Sequence, residues 1–393
     1  MKVRLNEDQI EISRQARRFF ENECPVTYVR EMFDGQRGFK DEVWAKMVEM
    51  GWTAMLLPEA YGGLEMGLVD LSVLFEEMGR FVVPGPLFST VLLGAEAVKA
   101  AGTEAQKQKY LAAIAAGELR CTLALSEPDS GSDPDYVQME ARGNENGFLL
   151  NGTKLFVPDA HTADFLIVAA RTARGEDPSH GISLFLLDTG ASGLSVSLLR
   201  TMDSTRKLCA VDFKDVHVSR ENLLGDRDEG WKFLNKVLQR ACVALCAENV
   251  GGAQKCMEMA TQYAKERVQF DQPIGAFQAV KHRCAQMFLE VESSRSMLYW
   301  AAWAQDHGDP LEAALSASAA KAYCSETYKS VACAAVQILA GTGFTWEHDL
   351  HFYLKRAKAN EVALGDPAYH REEIVRIIEG EREPGPLWGA KQG

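Results

Sequence analysis

Apolar residues recur at helical spacing from Asn6 to about Gly117. Leu5, Ile10, Ala16, Phe19 and Phe20 share one face, and the runs 43–50, 71–79 and 90–101 repeat the pattern. Pro58 to Gly63 and Pro84 to Pro86 mark turns or loops between these helices. At Cys121 the period shortens. β-prone runs follow at 121–125, 136–142, 148–150, 165–170, 182–187, 196–199 and 210–213, separated by turns such as Gly143 to Gly147 and Asn151-Gly152. This pattern predicts a compact antiparallel sheet or small barrel. After Gly225 to Gly230 the helical period returns, with long runs at 231–250, 252–267, 278–307, 311–341 and 349–364. The fold class is thus α+β with several domains: an all-α N-terminal domain over 1–120, a central antiparallel β domain over 121–228 and an α-helical C-terminal domain over 229–393.

A chain of 393 residues carries a sizeable core and favours two or three domains. Apolar residues make up 47% and charged residues 25%, the proportions of an ordinary globular protein. A net charge of -13 and a pI near 5.2 argue against nucleic acid or an anionic membrane surface as partner, since either is approached against a repulsive field. Any basic site is therefore local.

The nine cysteines show no C-x-x-C spacing or regular framework. Cys242 and Cys246 share a helical face, where two thiols in an Ala-rich helix read as small apolar residues, so no metal site is expected. His348 and His351 lack further ligands nearby and read as surface residues. No secretory leader opens the sequence and no apolar run approaches the ~18 residues of a membrane span, so no membrane insertion and a cytoplasmic location are expected.

Three segments carry candidate chemistry. Arg267, Phe270, Pro273, Ile274, Gly275, Phe277 and Gln278 close one helical run and open another. Pro-Ile-Gly breaks the helix, while Arg, Phe and Gln are types that clamp a pyrophosphate or stack on and hydrogen-bond an aromatic ring. Leu125, Ser126, Gly131 and Ser132 belong to a polar turn whose hydroxyls and backbone N–H groups suit an electron-rich ring edge. Gln337, Ala340, Gly341, Gly343 and Phe344 form the third segment. Taken singly, the first reads equally as a helix end with a surface Arg, and the second as a surface turn.

Together and in this order, the three segments resemble the acyl-CoA dehydrogenase family, flavoenzymes that desaturate acyl-CoA thioesters. The resemblance spans nearly the whole chain. It implies an N-terminal α domain, a central β domain and a C-terminal four-helix bundle, with FAD as cofactor and introduction of a trans-2,3 double bond into an acyl-CoA substrate. Electron-transferring flavoprotein is the implied acceptor. In the family, Arg-x-x-Phe and Gln-x-x-Gly-Gly of one subunit hold the FAD of a neighbour. Here Arg267, Phe270, Gln278, Gln337 and Gly341 match, with Ala340 in place of the first Gly, so oligomerisation becomes part of cofactor binding. A homotetramer or an α2β2 heterotetramer follows.

Two positions depart from the family pattern. The segment that carries a Thr donor to flavin N5 matches Phe156, Val157 and Pro158, and proline supplies neither hydroxyl nor N–H. Asp159 or a water is a candidate substitute. The usual base is a Glu in an aromatic-Glu-Gly-Thr loop, and alignment from Gln337 and Arg371 places Leu364 on that Glu, Gly365 on the Gly and Asp366 on the Thr. The alternative base position of some relatives falls on Ala241. Asp366 and Glu248 are the candidate catalytic acids. Each also has a plain reading, Asp366 as a helix cap before Pro367 and Glu248 as a carboxylate paired with an Arg or Lys. The resemblance further implies that Ser132, Leu364 and Gly365 contact substrate, the backbone N–H at the base position holding the thioester carbonyl. The run from Gly343 to His351 resembles a bacterial branch of the family. Some members of it pair unlike subunits and act on bulky acyl groups such as steroid side chains. A partner subunit that completes FAD binding without turnover of its own is the alternative function.

Overall fold

The computed structural model describes residues 5–129, 131 and 133–380. The first helices are α1 (Glu7–Glu23), α2 (Val26–Asp34), α3 (Asp41–Glu49), α4 (Leu68–Arg80), α5 (Glu96–Ala101) and α6 (Glu104–Ala115). Strands β1 (Cys121–Ala124), β2 (Glu140–Asn144), β3 (Gly147–Pro158) and β4 (Phe165–Arg171) come next. They are followed by β5 (Ile182–Asp188), β6 (Leu194–Leu198), β7 (Leu208–Ser219) and β8 (Leu223–Leu224). Then come α7 (Gly230–Glu266), a ribbon of β9 (Val268–Gln269) and β10 (Gln272–Pro273), α8 (Gln278–His307) and α9 (Pro310–Leu339). The chain continues through α10 (Gly341–Phe344), α11 (Leu350–Val362) and α12 (Pro367–Glu379). Helices, sheet, helices is the order that the periodicity predicts. Backbone contacts divide these elements into two units, one of residues 5–30, 68–83 and 242–380, the other of 31–67 and 84–241.

The second unit holds the sheet. Its strands run in the order β6-β7-β3-β2-β4-β5-β8, with β1 against β4. Alternate residues such as Leu150, Leu166, Val168, Phe185, Val211 and Val216 bury one face in a common core. The sheet is mixed, a correction to the antiparallel expectation: β1 runs parallel to β4, and β2 meets β4 in parallel at Glu140 and Arg171. A long excursion follows β1, so no tight turn forces an antiparallel partner on it. The expected strand at 136–142 begins only at Glu140. Pro134–Tyr136 forms a 3-10 turn, and the N–H groups of Gln138 and Met139 go to the Glu127 carboxylate instead of a neighbouring strand.

In the first unit α1 starts at a capping box of Asn6 and Gln9, and α9 starts at an Asp309 cap with Pro310 in the first turn. α9 packs against α8, α11 and α12 and buries a stripe that includes Ala317, Ala320, Cys324, Tyr328 and Val331. The sequence reading separates helices at Gly251, but α7 is one helix of 37 residues. Its glycines serve close packing: a Cβ on Gly251 would lie 1.8 Å from the Glu76 carbonyl oxygen, and one on Gly252 2.3 Å from the Tyr328 ring.

Candidate active site

In the sheet-bearing unit, Leu125, Ser126 and Gly131 line a small cleft with Asp133, Tyr136, Val137 and Trp231. Trp231 and Tyr136 were not singled out by the sequence; only their aromatic character hinted at them. Ser132 lies outside the described residues. A buried ion pair fixes the wall of this cleft. Lys154, with no exposed surface, donates to Glu127 Oε1 at 2.6 Å and to the Leu125 carbonyl at 2.9 Å. Glu127 also accepts the N–H groups of Gln138 and Met139, each at 3.0 Å, and the Leu155 N–H meets the Ser126 carbonyl at 2.8 Å. The pair thus joins three segments. Burial pushes Lys154 down to about 8, against the opposing pull of Glu127.

β3 ends in a bulge between Lys154 and Val157, where Phe156 takes φ 56 and stands half exposed. A phenylalanine in the left-handed region is strained, and such strain concentrates at functional sites. Val157 is buried and Pro158 half-buried. Asp159 is buried beside Pro158. Its N–H goes to the Lys207 carbonyl at 2.9 Å and its carboxylate accepts from Ser89 Oγ at 2.7 Å.

In the other unit, β9 and β10 form a two-residue hairpin with Phe270 and Asp271 at its tip, at φ 54 and 61. Positive φ at both central residues is the primed turn that suits a hairpin, although glycine or asparagine is the usual occupant. The sequence suggested only a helix break, because Phe-Asp carries no hairpin signal. The turn presents Phe270 at 86% exposure, with Arg267 and Gln278 also exposed. Gln337 in the last turn of α9 and Gly341 just beyond its end are exposed, on either side of Ala340 at φ 52, ψ -133. That backbone region favours glycine, which explains why an alanine there departs from the family pattern.

The loop between α11 and α12 carries Leu364, Gly365 and Asp366. Leu364 is left-handed, φ 59, and half-buried. Asp366 is exposed and caps α12, one oxygen accepting the Tyr369 N–H at 2.8 Å. Glu248 is 2% exposed and paired with the equally buried Arg356, 3.1 Å apart. Its plain reading as a paired helix carboxylate is the one the geometry fits. Ala241 is buried. Behind the loop stand Lys321, His370 and Cys242. The sequence reading passed over Lys321, although a lysine within the alanine-rich apolar stripe of α9 is a signal for a buried cation. His351 corrects the surface reading: it is buried under Trp346, stacked at 4.4 Å, with Nε2 against the Trp346 carbonyl. Among the described residues no group of His, Cys, Asp or Glu is arranged to hold a metal ion.

Against a flavin dinucleotide the residues fit in two respects and fail in one. The cleft at Leu125, Ser126 and Gly131 offers a hydroxyl and backbone groups beside aromatic walls, and the hairpin presents an exposed guanidinium and ring. Pro158, which the resemblance sets at the N5 donor position, has no N–H to offer.

Three family models match in order: acyl-CoA dehydrogenase N-terminal domain over residues 6–118, middle domain over 122–216 and C-terminal domain over 228–379. A probable acyl-CoA dehydrogenase, YngJ of Bacillus subtilis, is 32% identical over 344 residues, covering 86% of this chain and 90% of its own. The FAD complex of PigA superposes with a TM-score of 0.89 at 27% identity, over 96% of this chain and 98% of that one. A variant of the Tcur3481-Tcur3483 steroid ACAD superposes at 0.84 with 30% identity, over 95% and 98%. The chain belongs to the acyl-CoA dehydrogenase family. It is an FAD-dependent oxidoreductase acting on acyl-CoA thioesters. No helix among the described residues is long and apolar enough to cross a membrane.

Proposed function

We propose that this chain is a catalytic subunit whose α11–α12 loop holds the acyl-CoA thioester and whose Asp366 takes the α-proton. FAD, held by the residues named next, would supply the hydride acceptor for the β-hydrogen. Leu125, Ser126, Gly131, Ser132, Phe156, Val157 and Pro158 line one part of the cofactor site. Arg267, Phe270, Gln278, Gln337 and Gly341 clamp the dinucleotide of a neighbouring copy. The Leu364 N–H and the adjoining Gly365 receive the thioester carbonyl, a role that survives the loss of a glutamate side chain. The observation that carries the choice of acid is the contrast between the two candidates. Glu248 is committed to Arg356 inside the core, whereas Asp366 is exposed on the loop with its second oxygen in no hydrogen bond among the described residues. Electron-transferring flavoprotein is the proposed acceptor, and the cytoplasm the proposed compartment.

Asp366→Asn separates chemistry from folding, because asparagine caps a helix as well as aspartate does. The expected result is a correctly folded flavoprotein that binds acyl-CoA but is bleached by it ~10²-fold to 10⁴-fold more slowly. Wild-type bleaching would remove Asp366 from the mechanism. A second reading is then preferred, in which an α2β2 partner carries the base and this chain lends its FAD clamp. Leu364 at the base position and Pro158 at the N5 position favour that reading, as does the likeness to a steroid ACAD named for two components.

A further inference from the structure

Lys321 sits in the middle of α9 with no exposed surface and forms no ion pair among the described residues. Its ammonium donates to the main-chain carbonyls of Glu361 at 3.2 Å and Gly365 at 2.8 Å. Glu361 lies in the last turn of α11, where carbonyls lack an intrahelical partner and the helix dipole turns negative. The carbonyl between them is held as well. His370 Nε2 donates to the Leu364 oxygen at 2.9 Å while its Nδ1 faces Ser318 Oγ at 3.3 Å, and Cys242 Sγ lies 3.7 Å from the same oxygen. Burial pushes His370 down to about 4, so near neutral pH it carries one ring proton, which the Leu364 acceptor places on Nε2.

One carbonyl in the last turn of α11, at 361, and two of the loop that follows, at 364 and 365, are therefore drawn onto buried side chains. The loop in turn keeps Leu364 at φ 59 and Gly365 at φ 97. An ammonium desolvated with no carboxylate in salt-bridge contact among the described residues and a left-handed leucine are both unfavourable on their own. Both are retained at the position where this family carries its base, and strain that persists in a packed structure points to a functional demand on that backbone.

We propose that Lys321 and His370 are positioning residues for the thioester. They hold the Leu364 and Gly365 carbonyls inward and so turn outward the N–H groups of the same peptide planes, those of Gly365 and Asp366, toward the acyl carbonyl, and the Lys321 charge favours the negative charge that builds on that oxygen as the α-proton leaves. This rests on the reading above that the α11–α12 loop binds the thioester. Polarisation through hydrogen-bonded peptides strengthens the outward donors, so the two side chains act without touching substrate.

The test uses the FAD-loaded assembly and two ligands that differ at one group: trans-2-octenoyl-CoA and S-(2-octenyl)-CoA, in which CH2 replaces the carbonyl. Affinities are read from perturbation of the flavin spectrum. The wild-type protein is expected to prefer the thioester at least tenfold. Lys321→Met and His370→Leu each reduce that preference to less than threefold, with FAD content and thioether affinity unchanged. A merely structural role would weaken both ligands together. An unchanged preference in the variants overturns the inference and leaves the loop reading intact, whereas a wild-type protein indifferent to the carbonyl overturns the loop reading itself. If Lys321→Met does not yield folded flavoprotein, His370→Leu alone decides by the same criterion.

Discussion

Single buried charges decide much of what this chain can do. Lys154 is held below the ordinary lysine range by burial, down to about 8 from 10.5. Between those two pH values the unfolded chain keeps a proton that the folded chain has released. Lys154's contribution to stability therefore rises with pH across that window and is least favourable below it. Lys154→Met leaves Glu127 buried without its cation and is expected to destabilise the protein by roughly 3 to 5 kcal/mol near neutral pH. Urea midpoints at pH 7 and pH 9.5 check both points, since the gap between wild type and variant widens at the higher pH. A gap that stays constant would show that Lys154 titrates normally. Such residues are the least legible in a sequence. Lys154 looks like a surface lysine until its strand is packed, and Glu248 looks like a poised acid until Arg356 appears beside it from another helix.

Elements carry the proposed cofactor clamp through backbone conformations that their residues do not favour. The β9–β10 hairpin sets Phe270 and Asp271 in a primed turn and leaves Arg267 at its base. Arg267→Ala removes a charge-assisted clamp of roughly 1.5 to 3 kcal/mol, so FAD retention should fall more than tenfold. Unaltered FAD affinity in the purified variant would take Arg267 out of the site. At the end of α9, Ala340 occupies a conformation natural to glycine. Ala340→Gly is expected to relieve strain of roughly 1 kcal/mol or more, partly offset by the greater chain entropy of glycine, and to raise the midpoint of thermal denaturation. A lowered midpoint would mean that the Ala340 side chain contributes packing that outweighs the strain. The order of helices and strands was readable from periodicity alone. The uninterrupted α7 was not, because the helix runs through Gly251 and Gly252 to let α4 and α9 approach, a demand of tertiary packing. The late start of β2 likewise follows from Glu127, a side chain distant in sequence that claims its backbone donors.

At the scale of the whole molecule, the resemblance rested on motifs spread from Ser126 to Gly343 in the expected order; Ser126 and Gly131 line a cleft, and Arg267, Phe270, Gln278, Gln337 and Gly341 are exposed. Packing determines what the motifs leave open. The α11–α12 loop carries no glutamate, yet its Gly365 and Leu364 carbonyls are tied down by Lys321 and His370, and Asp366 remains exposed at its edge. The most direct test is anaerobic titration of the assembly purified from this chain alone, with saturated short-chain, medium-chain and steroid acyl-CoA thioesters, together with its flavin content. The account predicts close to one FAD per chain and bleaching of that flavin, with the 2-enoyl thioester as product, by at least one of them. Flavin that none of the three reduces, or that is retained only when a second, related subunit is present, would contradict it.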